Sequence, residues 1–126
     1  MALVRSDSPA PGVERLTLAR PGMHNALVPE LLDDLMRALA DVSRRGGCKV
    51  VVLAAEGPAF SIGGDMRRFR RERDGDLLGY SSALVGRLNQ AILALIDLPQ
   101  PVVAAVQGVV TGGSIGLVLA ADLAYL

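Results

Sequence analysis

The stretch Pro101–Gly116, PVVAAVQGVVTGGSIG, decides how the chain folds. Val102–Val106 is a short, uninterrupted apolar run rich in β-branched residues, the pattern of a strand buried on both faces. Gly112-Gly113 break the run, and an apolar helix is expected from about Ser114 to Ala121. The arrangement recurs upstream, where Lys49–Ala55 (KVVVLAA) reads as a second buried strand and Ser61–Asp65 as a turn beyond it. Strands that alternate with helices define the α/β class.

The other elements follow from spacing. Leu31, Leu32, Leu35, Met36, Leu39 and Val42 recur at helical intervals behind Pro29, a first-turn proline, and Gly46-Gly47 stop that helix. Leu84, Val85, Leu88, Ala91, Ile92, Leu95 and Ile96 mark a stronger helix, ended by Pro99 and Pro101. Val13–Ala19 alternates as a strand, Arg20-Pro-Gly turns, and Ala124–Leu126 begins a further strand. Residues 1–12, with Pro9, Pro11 and Gly12, are expected to form a flexible leader to a folded part at 13–126. Strands normally run about five or six residues, so the chain is expected to stop inside its last one.

Composition narrows the function. The 126 residues suffice for one domain, and 51% hydrophobic content supports a core. Acidic and basic residues balance at 13 each, and two Tyr, two Phe and no Trp leave little for base stacking, so no nucleic-acid partner is expected. Cys48 and His24 are single, which excludes an intrachain disulfide and a Cys/His zinc site. The start lacks the apolar stretch of a secretory signal, and a cytoplasmic location is the default. Residues 101–126 carry one charge, Asp122, over a length that would span a bilayer. Gln107, Thr111, Ser114 and four glycines interrupt them, however, so a buried β-turn-α-β unit is expected and no membrane span.

Both glycine turns leave backbone N–H groups near the start of a helix, where negative charge is favoured. Aimed at one point, they would make an oxyanion hole for an acyl group. Glycine content alone favours ordinary connecting turns. Neither turn has the spacing of a dinucleotide or P-loop fingerprint, or of a nucleophile elbow.

Three segments change that balance. Arg20-Pro-Gly-Met-His-Asn-Ala-Leu27, Ala59-Phe-Ser-Ile-Gly-Gly-Asp65 and Pro101–Gly116 resemble, in order, the R-P-x-x-x-N-A-L, A-F-x-x-G-x-D and P-x-x-A-x-x-x-G-x-x-x-G-G-G motifs of the crotonase (enoyl-CoA hydratase/isomerase) superfamily. The resemblance runs from about Val13 to Leu126 and implies a crotonase-like (ClpP/crotonase) spiral of repeated ββα units, stopping before its C-terminal part. It implies that Gly64 and Gly113 donate the catalytic oxyanion N–H groups. Asp65, Met66 and Arg67 would then lie along the substrate's coenzyme A, with Ala26 and Ser61 near its thioester and adenine ends. Coenzyme A is part of the substrate, no metal or redox cofactor is implied, and a homotrimer or hexamer is.

One departure matters. Hydratases of the family carry a glutamate three residues after the second donor, where this chain has Gly116, and their other glutamate would lie beyond Leu126. Glu14, Glu30, Glu56 and Glu72 all fall outside the motifs. The resemblance therefore supports acyl-CoA binding and enolate stabilisation, by a lyase or isomerase of fatty-acid or related acyl-CoA metabolism, more than it supports hydration. The rivals are an inactive homologue that only binds CoA or assembles with full-length relatives, and a protein attached to a membrane through residues 101–126.

Of Arg67, Arg68, Arg70, Arg71 and Arg73, one or two are expected at the phosphates of CoA and the rest on a solvated surface. Asp65 is expected to cap a helix and Asp122 to have a structural partner. His24 is expected to be exposed, and Cys48 inert in the core.

Overall fold

The computed structural model describes residues 2–126. The strands are β1 (Val4–Ala10), β2 (Val13–Leu18), β3 (Val50–Ala55), β4 (Val102–Ala105) and β5 (Leu123–Tyr125). The helices are α1 (Pro29–Arg44), α2 (Met66–Glu72), α3 (Leu77–Asp97) and α4 (Ser114–Leu119), and a 3-10 turn at Pro21–Met23 precedes α1. The strands form a sheet in the order β1-β2-β3-β4-β5. β1 pairs antiparallel with β2, and every other neighbouring pair is parallel.

Alternation assigns the two faces of the sheet. Leu16 and Leu18 of β2, Val51 and Leu53 of β3, and Val102 and Ala104 of β4 are fully buried. They share a core with Leu31, Leu32, Leu35, Leu39 and Val42 of α1 and with Leu84, Ala91 and Leu95 of α3. The opposite face, with Val13, Val52, Ala54, Val103 and Ala105, is half-buried. Burying one leucine fully contributes about 1.5–3 kcal/mol, so α1, with four buried leucines, fixes that helix to the sheet.

One expectation needs correction. Residues 4–10 are not a flexible leader but the edge strand β1, with Val4 opposite Leu18 and Asp7 opposite Arg15. Edge strands tolerate proline, and the register shifts between Asp7 and Ala10, where Pro9 sits. The charged segment after Asp65 holds the helix α2, and α3 starts two turns before Leu84 because Asp76 caps it, accepting from the Gly79 N–H at 2.9 Å. Asp122 has the structural partner expected of it, its carboxylate accepting from the Val102 N–H at 2.7 Å, although the residue is exposed.

Residues 101–126 fold as β4, turn, α4 and β5, and among the described residues no helix is long and apolar enough to cross a membrane. The loops after β2, β3 and β4 all leave the carboxyl ends of parallel strands. Ligands of α/β sheets bind at that end.

Candidate active site

The three loops are laced together with 61–65 in the middle. On one side the Ile62 N–H donates to the His24 carbonyl (3.2 Å), Leu27 N–H to Gly63 (2.7 Å) and Asp65 N–H to Leu27 (3.1 Å). On the other, Ser61 N–H donates to Val109 (3.2 Å) and Thr111 N–H to Ser61 (3.1 Å). The Thr111 hydroxyl reaches the Ile62 carbonyl at 2.9 Å, and the Ser114 hydroxyl reaches that of Ser61 at 3.1 Å.

This lacing orients two peptide groups. An amide is planar and trans, so its N–H points away from its C=O. The Gly63 carbonyl is held by Leu27, which turns the Gly64 N–H away from that strand-like contact. The Gly112 carbonyl accepts from Ile115 at 3.1 Å, which turns the Gly113 N–H away from α4. Among the described residues neither the Gly64 nor the Gly113 N–H has an acceptor, and both residues are only half-buried. Unpaired half-buried donors of this kind are open to an anionic or carbonyl oxygen.

Buried polar groups hold the loops in place. Asn25 is fully buried at φ 54°, in the left-handed region that asparagine tolerates. Its side chain donates to the carbonyls of Glu56 (2.9 Å) and Ala59 (3.1 Å) and accepts from the Arg20 N–H (2.8 Å). Ser61 is equally buried; its hydroxyl donates to the Asn25 carbonyl at 2.8 Å and accepts from the Gly63 N–H at 3.2 Å. The Arg20 guanidinium bridges the Ala26 carbonyl at 2.9 Å and the Asp65 carboxylate at 3.0 Å. Asp65, 3% exposed, caps α2 by accepting from the N–H groups of Arg67 and Arg68. Burial pushes its carboxyl up, but the Arg20 hydrogen bond and charge and the N–H groups of Arg68 and Arg67 outweigh burial and hold it below the ordinary carboxylate range.

The residues expected at a ligand thus divide. Ala26, Ser61 and Asp65 are buried, and the polar side chains of Ser61 and Asp65 are engaged internally. Met66 is 65% exposed, and Arg67 is exposed beside Met23, on which its guanidinium rests. Arg20, Met23, Asp65, Arg67, Arg70 and Arg71 line an open cavity of about 440 Å³ next to the Gly64 turn. Arg68 faces away from this cavity, pairing with Glu30 and Glu72 at 3.3 Å and lying 4.9 Å over the Tyr80 ring. His24 is exposed, and Cys48 is half-buried against the core. Arg20 and Asn25, whose side chains organise all this, carry no sign of that role in the sequence beyond their place in the first motif.

Helix α3 backs the glycines at one residue per turn. A Cβ on Gly64 would meet Phe69 at 3.0 Å and Leu84 at 3.7 Å, one on Gly113 would meet Leu88 at 2.7 Å, and one on Gly116 would meet Ile92 at 2.8 Å. An apolar side chain therefore fills the space beside position 116.

A mostly parallel α/β sheet with interlaced loops at its strand ends is the fold of a crotonase-type domain, as the comparisons show. The Enoyl-CoA hydratase/isomerase family model matches residues 9–126, and the chain belongs to that family. It is 36% identical, over 98% of its length and 44% of the relative's, to the probable enoyl-CoA hydratase EchA12 of Mycobacterium tuberculosis. It is 30% identical, over 88% of its length and 42% of the relative's, to the trans-2-decenoyl-[acyl-carrier-protein] isomerase of Streptococcus mutans. The crystal structure of an enoyl-CoA hydratase from Mycobacterium smegmatis superposes with a TM-score of 0.88 at 36% identity, covering 98% of this chain and 47% of that one. The chain spans less than half the length of these relatives.

Proposed function

We propose that the chain binds an acyl-CoA thioester and that the Gly64 and Gly113 N–H groups hold its carbonyl oxygen. The observation that carries this reading is the pair of acceptor-free N–H groups on two interlaced turns. Loss of a proton from the carbon next to a thioester carbonyl moves negative charge onto that oxygen, where two fixed donors stabilise it. Removing one such donor typically slows an enzyme by about 10²–10³-fold. The cavity lined by Arg67, Arg70 and Arg71 suits the phosphates of CoA, since guanidinium groups match phosphate geometry.

Proton transfer is a different matter. Asp65 is paired with Arg20, Glu30 and Glu72 with Arg68, and Ile92 occupies the space beside Gly116. These engagements favour binding and polarisation by this chain over hydration. A protein that holds the acyl-CoA without turning it over is the second reading, and assembly into trimers or hexamers is compatible with both.

The test is an amide NMR titration with crotonyl-CoA and, separately, with CoA. Crotonyl-CoA is expected to move the Gly64 and Gly113 amide protons downfield, and CoA to leave them in place. Binding that leaves both amides unmoved, or no binding, overturns the reading. Loss of the enoyl absorbance in the same samples separates turnover from binding alone.

A further inference from the structure

We propose that Arg20 is a positioning residue for the Gly64 donor, acting through two peptide groups in series. The Arg20 Nη1–H donates to the Ala26 carbonyl at 2.9 Å. The N–H of that same peptide belongs to Leu27 and points the opposite way, donating to the Gly63 carbonyl at 2.7 Å. The N–H of this second peptide is that of Gly64, which points onward and has no acceptor among the described residues. Guanidinium, two amides and the free N–H thus stand head to tail. Every amide dipole has its negative end toward the cation and its positive end toward Gly64.

Aligned hydrogen bonds polarise one another, by roughly 10–30% per bond. Arg20 therefore both aims the Gly64 N–H and strengthens it as a donor. Arg20 is itself fixed, its other nitrogen 3.0 Å from the Asp65 carboxylate and its backbone N–H 2.8 Å from Asn25 Oδ1. Among the described residues Gly113 has no such relay: the carbonyl of its peptide accepts only a neutral N–H, that of Ile115. The purpose of the relay rests on the reading of Gly64 as an oxyanion donor; its geometry does not.

The experiment compares Asp65→Asn with Arg20→Met and Arg20→Lys made in that background, so that no unpaired carboxylate stays buried. In the ligand-free Arg20→Met protein, exchange of the Leu27 amide is expected to quicken about tenfold, the loss of one hydrogen bond's protection. The Gly64 amide proton should move upfield while that of Gly113 stays. Arg20→Lys, which keeps the charge with a single prong, should give a smaller change in the same direction, and it carries the test should Arg20→Met not fold. Unchanged Leu27 and Gly64 amides, or an equal movement at Gly113, overturn the relay. Should crotonyl-CoA move neither glycine amide in the unaltered protein, the functional reading fails, and the ligand-free comparison still decides the relay.

Discussion

Gly63 and Gly112 meet backbone to backbone, at φ 84° and 62°, and this contact joins the two turns that carry the free donors. A Cβ on Gly63 would stand 2.8 Å from the Thr111 carbonyl oxygen and 3.2 Å from Gly112 Cα. No flexible side chain is there to yield. Gly63→Ala combines that clash with a left-handed backbone that disfavours Cβ by about 1–2 kcal/mol. Chemical unfolding is expected to show a loss of about 2 kcal/mol or more. Gly22→Ala, with nothing within 4 Å of the added carbon, should change stability by less than about 0.5 kcal/mol. Equal stability of the two variants would contradict the backbone contact.

Asn25 is the buried post between the first and second loops. Asn25→Ala removes three hydrogen bonds and leaves two carbonyls and an N–H without their partner. A loss of about 3 kcal/mol or more is expected in urea unfolding. Asn25→Asp should be no milder, because a carboxylate keeps the acceptor but loses both donors. Should Asn25→Asp leave the protein as stable as before, the amide is not the post.

Asp65 gives a pH dependence of defined sign. Its carboxyl lies below the ordinary range in the fold, so the unfolded chain takes up the proton first as the pH falls. The stabilisation is complete above about pH 4, the ordinary carboxylate value. It is lost on acidification through the lower folded value. Unfolding midpoints measured downward from pH 5 should fall less steeply for Asp65→Asn than for the unaltered protein. Parallel acid limbs would contradict the Arg20–Asp65 account.

The arginine cavity predicts a salt-sensitive affinity. Arg70→Ala and Arg71→Ala are each expected to weaken acyl-CoA binding about three- to tenfold at low salt, the range of one charge-assisted contact. The loss should shrink toward 1 M salt, where the screening length is about 3 Å. Arg73→Ala, outside the cavity lining, is the control and should bind as before. Calorimetry at two salt concentrations settles which outcome holds.

Much of the scaffold was legible in the sequence because it rests on local periodicity. Leu31 to Val42 announced α1, and the apolar runs at 49–55 and 102–106 announced the strands β3 and β4. β1 was hidden because an exposed edge of serine, aspartate and proline satisfies its backbone through β2, a partner that no local pattern reveals. The first turns of α3 were hidden for a similar reason: Gly79, Ser81 and Ser82 dilute the apolar spacing, and a cap at Asp76 starts the helix. Glycine content could not say where the Gly64 and Gly113 N–H groups point. That depends on what holds the carbonyl of each peptide, Leu27 in one case and Ile115 in the other. Only the order of three motifs singled the two residues out, and the parts of Arg20 and Asn25 emerge from contacts that the fold brings together.

The central claim is that two fixed backbone donors polarise one thioester carbonyl. The most direct measurement is the isotope-edited vibrational spectrum of crotonyl-CoA carrying ¹³C at the carbonyl, bound to the chain. The carbonyl stretch is expected to fall well below its solution frequency, as two N–H groups draw charge onto the oxygen. A bound thioester whose stretch stays at the solution value would contradict the account.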